Sequence, residues 1–223
     1  MEIKYSFFGD FNITVRSIKE ISEKFDDSYN RSISNVLSRA NNQQMQRVVP
    51  VYIFSKGDSI INISPDRIDF TYNCQRKRSL DVGEFEKVRP YMPDYFNRLA
   101  INVKGGTKDG SNKIFNNISN KVSLVIDGFE QNEIFLRKNQ IGRIDGVLIN
   151  NVISVQNGLV KENRDFSLTR GIIYSFDINT SIDIGANRPF VRDSSIEVLN
   201  KMEAIVDKDE EAIKDFLENN EEN

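Results

Sequence analysis

Histidine and tryptophan are absent from the 223-residue chain, and cysteine occurs once, at Cys74. Without histidine there is no Ser-His or Cys-His pair, no imidazole general base and no Cys/His zinc site. A single cysteine cannot close an internal disulfide. The metals left are hard cations held by carboxylates, and no cofactor is expected. Cys74 sits at the end of an expected strand. With no histidine to activate it, it reads as a small half-buried side chain rather than a nucleophile. No apolar run approaches the ~18 residues of a membrane span. Met1 to Tyr5 lacks the basic-then-apolar layout of a secretory signal, so a cytoplasmic protein is expected. The Asn-x-Ser/Thr triplets at Asn12, Asn30 and Asn117 then follow from an Asn-rich composition.

What is present fits a soluble chain with a real core: 39% hydrophobic and 28% charged residues. The net charge of −3 hides an asymmetry. From Asp207 onward, eight acids and two lysines carry −6, leaving +3 on the preceding body. That body is mildly basic and the tail acidic, but +3 does not by itself argue for nucleic acid.

The clearest local pattern runs from Val48 to Asn73 and reads as three strands. Lys56-Gly57-Asp58 and Ser64-Pro65-Asp66 supply the turns. Ile68, Phe70 and Tyr72 alternate against Arg67, Asp69, Thr71 and Asn73, the mark of a half-buried strand. Val51, Tyr52, Ile53 and Phe54 are apolar on both faces, which predicts a central strand. Before this meander, Ile3, Tyr5 and Phe7 predict a strand. Val15, Ile18, Ile21 and Phe25 predict a helix with Thr14 as N-cap. Ile33, Val36, Leu37 and Ala40 repeat at helical spacing and predict a second helix from Asn30.

After Asn73 come Arg76-Lys77-Arg78, a helix over Val82–Arg89, a Pro-limited turn and a further helical turn to Leu99. Leu99–Lys104 is a predicted strand, and Gly105 to Asn112 reads as loop. Further strands are predicted at Val122–Ile126, Glu133–Lys138, Arg143–Val155 and Gly171–Asn179, with Asp127-Gly128 and Asn157-Gly158 as turns. A C-terminal helix capped at Ser194 or Ser195 follows, its apolar stripe formed by Ile196, Leu199, Met202, Ala204 and Ile205. Asp207-Lys208-Asp209 is a candidate interruption before a second amphipathic segment with Ala212, Ile213, Phe216 and Leu217. Helices group at the N-terminus, the centre and the C-terminus instead of alternating with strands. The fold class is therefore α+β, mostly antiparallel, in two strand groups (48–73 and 99–178). One domain over 1–223 is expected, with 1–98 and 99–223 as candidate subdomains.

The Ile61-Asn-Ile-Ser-Pro-Asp-Arg-Ile68 segment and the late Ile173-Tyr-Ser-Phe-Asp-Ile-Asn-Thr180 strand resemble a sporadically distributed family of uncharacterised bacterial proteins. The matching residues are Ser64-Pro65-Asp66-Arg67 and Asp177-Ile178-Asn179. The resemblance would span 48–217. It implies an α+β fold and carries no catalytic residues with it.

Candidate sites divide by chemistry. The Gly-rich loop 105–112 invites a phosphate reading, but a phosphate loop needs Lys directly after its last Gly, and here Ser111 follows Gly110. Its alternative is a hairpin loop that contacts a partner, with Lys108 in it and Lys104 just before it. Asp127, Asp145, Asp177 and Asp183 fall in or beside strands and could hold Mg²⁺ if they converged. The nuclease-like order of Pro65-Asp66 followed by acid-x-Lys fails, because Phe85 stands two before Lys87. The basic set Arg76, Lys77 and Arg78, with Arg67, Lys87 and Arg89, lies close in sequence to Tyr72, Phe85, Tyr91, Tyr95 and Phe96. Cations pair with phosphates and aromatic faces stack bases; the structural alternative is core aromatics beside a solvated turn. The acidic C-terminal helix is either a docked helix or an interaction surface.

By exclusion, the expected function is a non-enzymatic binding protein acting on a protein or ribonucleoprotein surface, such as a phage or mobile-element inhibitor of a host defence complex. Its expected contacts are Arg76, Lys77, Arg78, Lys87, Arg89, Lys104 and Lys108. The alternatives are a carboxylate and Mg²⁺ dependent nuclease or phosphotransferase, and a direct single-stranded RNA-binding protein. A dimer is compatible with the pattern.

Overall fold

The computed structural model describes residues 1–39, 46–73, 79–109, 112–122, 133–161, 168–180 and 190–218. Their elements run β1 (Glu2–Phe8), α1 (Val15–Lys24), β2 (Asn30–Arg39), β3 (Gln46–Lys56), β4 (Ser59–Ile63), β5 (Arg67–Asn73), α2 (Val82–Val88), β6 (Tyr95–Phe96), β7 (Arg98–Lys108), α3 (Lys113–Val122), β8 (Phe135–Ile144), β9 (Val147–Lys161), β10 (Leu168–Thr180), β11 (Phe190–Val191) and α4 (Ser195–Glu218). Nine strands form one antiparallel sheet in the order β2-β3-β4-β5-β1-β7-β10-β9-β8; β6 and β11 form a separate pair. The fold is α+β, with N-terminal, central and C-terminal helices. The two strand groups meet through β1, which pairs with β5 on one side and β7 on the other.

Strand alternation gives the sheet two faces. Ile3, Tyr5 and Phe7 of β1, Ile68, Phe70 and Tyr72 of β5, Leu99, Ile101 and Val103 of β7, and Phe176 and Ile178 of β10 share one face and are buried. The helices cover this face. Phe85 and Val88 come from α2, Leu199, Met202 and Val206 from α4, and Ile21 from α1; all join the same core. Thr14 caps α1 as its sequence predicts: Ser17 N–H donates to Thr14 Oγ1 (3.1 Å), and Thr14 N–H donates to Ser17 Oγ (2.7 Å). Phe25, just after α1, stacks on Phe54 of β3 at 4.9 Å.

Several predicted elements are corrected. Residues 30–39 form β2, not a helix. Their helical spacing has no core to face, since Ile33 is 68% and Val36 46% exposed. Asn30, Ser32, Ser34, Asn35 and Ser38 are poor helix formers, and continuous pairing with β3 settles the conformation. The predicted helical turn before Leu99 is instead β6 and the start of β7. Val122 closes helix α3, which the sequence reading missed; the rest of the strand predicted at 122–126, with Asp127-Gly128, lies outside the described residues.

The Gly-rich segment is strand as far as Lys108, because its glycines make room for neighbours. A Cβ on Gly105 would lie 2.3 Å from the Tyr174 ring of the facing strand. The predicted 143–155 strand is broken by a hairpin turn at Asp145-Gly146, where φ is +48° and +84°, as a two-residue type I′ turn requires. Asn157-Gly158, predicted as a turn, lies inside β9. In α4, Asp207-Lys208-Asp209 continues the helix, and Glu203 is buried while Ala204 is exposed.

Two buried carboxylates bind helices to sheet. Glu84 of α2 accepts from Tyr29 Oη (2.8 Å), Ser59 Oγ (2.8 Å) and Tyr72 Oη (3.0 Å). Glu203 of α4 accepts from Tyr5 Oη (2.5 Å) and Ser79 Oγ (3.0 Å). Such multiple donors offset the desolvation of a buried charge. Glu84→Ala leaves three hydroxyls without their acceptor and is expected to cost about 3 kcal/mol or more, read as a lower urea midpoint. A loss below about 1 kcal/mol would contradict this role.

Burial raises the hydroxyl pKa values of Tyr5, Tyr29 and Tyr72 above the ordinary 10.0, and the adjoining carboxylates push the same way. In the unfolded chain these groups ionise near 10.0, whereas in the folded chain they stay protonated. Their contribution to stability is therefore complete below that pH and is lost as pH rises beyond it. The urea midpoint is expected to hold level up to about pH 9.5 and then fall. A midpoint that holds or rises above about pH 10.5 would contradict the account.

Candidate functional site

The second face of the sheet has no helix packed on it among the described residues. Cross-strand register defines its rows. One row runs Ile53–Asn62–Asp69–Ser6–Ala100–Asn179–Asn150, from β3 to β9. A second runs Thr71–Lys4–Asn102–Asp177. A third runs Arg67–Phe8–Arg98, across β5, β1 and β7. The floor is made of short side chains. Ser6, Ala100 and Asn179 are buried, with no helix over them among the described residues.

The Arg67–Phe8–Arg98 row is the centre of this face. The Arg98 guanidinium lies 5.0 Å and the Arg67 guanidinium 5.7 Å from the centroid of the half-buried Phe8 ring, within cation–π range. Arg67 Nε also meets Asp69 Oδ2 at 3.0 Å. Arg98 Nε is buried and has no hydrogen-bond partner. Burial pulls the Arg98 pKa below its ordinary value; Asp177 opposes this and the like charge of Arg67 adds to it. Asp177 Oδ1 is held by the side-chain amides of Asn102 (2.8 Å) and Asn179 (3.1 Å).

The face is cationic. Lys4, Arg67, Arg98, Lys104, Lys108 and Arg137 all project from it by strand parity, against Glu2, Asp69 and Asp177. Held arginines beside an aromatic ring, and amides and hydroxyls at strand spacing, suit a polyanion with hydrogen-bonding groups.

The basic residues expected from sequence separate. Lys104 and Lys108 lie on the open face and are exposed. Lys87 lies on the helix side, its Nζ 4.8 Å from the Phe25 ring centroid. Arg89 is ion-paired with Asp193 (2.7 Å) and Glu86 (2.9 Å), and these partners raise its pKa. Arg76, Lys77 and Arg78, with Cys74, lie outside the described residues. Of the aromatics near them in sequence, Tyr72, Phe85 and Phe96 are core, and Tyr95 is 58% exposed.

Two of the candidate acids lie on opposite sides of the sheet. Asp177 projects from the open face, whereas Asp145 sits in the β8–β9 turn and pairs with Lys201 of α4. Asp127 and Asp183 lie outside the described residues. No group of three metal-ligating side chains occurs among the described residues. The phosphate reading of the Gly-rich loop meets a second obstacle. Asp109, directly after β7, occupies the start of α3: Ile114 N–H donates to its Oδ1 (3.0 Å) and Phe115 N–H to its Oδ2 (2.6 Å). A carboxylate already fills the position an anion would take. A cleft of about 580 Å³ opens beside it, walled by Asp109, Phe115, Arg170 and Ile172. No helix of the described residues is long and apolar enough to cross a membrane.

The sequence reading missed Phe8, Arg98 and Asn102. Alternation alone placed Arg67 and Asp69 on the face opposite Ile68, Phe70 and Tyr72, but which faces align across β5, β1, β7 and β10 depends on pairing that composition does not encode. Both motifs that carry the family resemblance fall on the open face, through Arg67 and through Asp177 and Asn179. No protein-family model matches the chain, and no curated protein or solved structure matches it.

Proposed function

We propose that the chain is a non-enzymatic binding protein that occupies the surface of a ribonucleoprotein, and that its open sheet face docks on a single-stranded segment of the RNA. The observation that carries this reading is the Arg67–Phe8–Arg98 row on a cationic face that has no helix on it among the described residues, in a chain whose net charge is −3. A chain that is acidic overall but positive on one face has its attraction for an anionic strand concentrated there. Sheet faces recognise RNA by combining cations for phosphates with polar side chains for base edges. The Ser, Asn and Arg side chains here supply both. Inhibition of a host defence complex, the setting expected from sequence, is one in which occupying an RNA strand blocks function.

The test is fluorescence anisotropy with labelled RNA oligonucleotides of about 12 nucleotides, within the length one binding platform spans. Affinity is expected to fall with salt, the log–log slope tracking the number of phosphates contacted at about 0.7 per contact. The double variant Arg67→Ala/Arg98→Ala is expected to lose about tenfold or more in affinity and to flatten the slope by about one to two units. Lys214→Ala, on the helix side, is expected to leave both unchanged. No measurable affinity for any oligonucleotide at low salt, or equal affinity in the double variant, would overturn the reading.

A further inference from the structure

A hollow of about 180 Å³ indents the open face where β2, β3, β4 and β5 adjoin. Val36, Val51 and Ile53 form an apolar wall, and Asn62, Arg67 and Asp69 form the polar side. Asp69 is 3% exposed. Its Oδ2 is held by Arg67 Nε at 3.0 Å, but its Oδ1 is buried with no hydrogen-bond partner. A buried carboxylate oxygen without a donor is destabilising, and native structures fill such positions. Arg67 uses only its Nε on this carboxylate, and its side chain is 45% exposed.

The chemistry of the hollow selects its occupant. One wall takes a flat apolar surface. The carboxylate takes an N–H donor. The Asn62 amide and the Arg67 guanidinium offer donors to an acceptor beside that N–H. The volume is below the usual range for drug-sized ligands, which favours a single ring over a fused pair.

Resting on the RNA-binding reading above, we infer that this hollow is a base subsite that takes a pyrimidine and prefers cytosine to uracil. The cytosine N4 amine donates to Asp69 Oδ1, a pairing in which a carboxylate accepts from that amine. Its N3 and O2 acceptors face Asn62 and Arg67. Arg67 keeps its Nε on Asp69 Oδ2 and gives its remaining N–H groups to the base. Uracil has the same size but presents a carbonyl oxygen where cytosine has its amine, so the carboxylate repels it.

The experiment compares oligocytidine with oligouridine on the full chain, by anisotropy at one salt concentration. Wild type is expected to bind oligocytidine about tenfold more tightly, the discrimination typical of a good base contact. Asp69→Asn, whose amide can pair with either base, is expected to remove the preference by raising oligouridine affinity. Val51→Phe keeps the carboxylate and fills the hollow, so it should also remove the preference; it decides the matter if Asp69→Asn does not fold. Thermal melts of both variants establish that the fold is intact. Equal binding of the two oligonucleotides by wild type, or a preference that survives both variants, overturns the subsite and leaves the RNA-binding face standing. If neither oligonucleotide binds, the subsite and that face fall together.

Discussion

Two buried carboxylates tie the helices to the sheet at fixed points. Glu84 draws α2 onto the meander through Tyr29, Ser59 and Tyr72, and Glu203 draws α4 onto β1 through Tyr5. Tyr5 and Tyr72 lie side by side, their ring centroids 6.2 Å apart in an edge contact. The two clamps therefore meet at the pairing of β1 with β5, the strands that join the two halves of the sheet. Apolar burial supplies the bulk of the driving force, but it does not dictate where a helix sits along the sheet. A charge that must find several donors does.

Both clamps act on the same face, and among the described residues no helix packs on the other. Across β5, β1, β7 and β10 that face is largely polar, with a floor of Ser, Ala and Asn, while Val36, Val51 and Ile53 make its β2–β3 end apolar. Its relief comes from Arg67, Phe8, Arg98, Lys4 and Lys104. Both guanidiniums lie over the Phe8 ring, Arg67 is paired with Asp69, and burial lowers the pKa of Arg98.

The meander was legible because its period is strict and its turns carry the residues that turns require. Thr14 was legible as a cap for the same local reason. The α+β class followed from how elements group along the chain. Residues 30–39 were misread because four apolar residues at helical spacing (Ile33, Val36, Leu37 and Ala40) matter less than ten residues of pairing with β3, a long-range contact that local pattern does not contain. Gly105 and Gly158 were read as loop and turn, yet both sit in strands, where each makes room for a side chain of β10, Tyr174 and Ile173. The candidate site was legible only in part. Arg67 and Lys104 could be named from sequence. Phe8 and Arg98 could not, because their roles depend on β1 and β7 lying beside β5.

Ultraviolet crosslinking of a bound RNA oligonucleotide, followed by mass spectrometry of the crosslinked peptides, tests the central claim most directly. Crosslinks on β1 at Phe8, on β5 from Arg67, and on β7 and β10 would place the strand on the bare face, as this account predicts. Crosslinks concentrated on α1, α2 or α4, with none at Phe8, would contradict it.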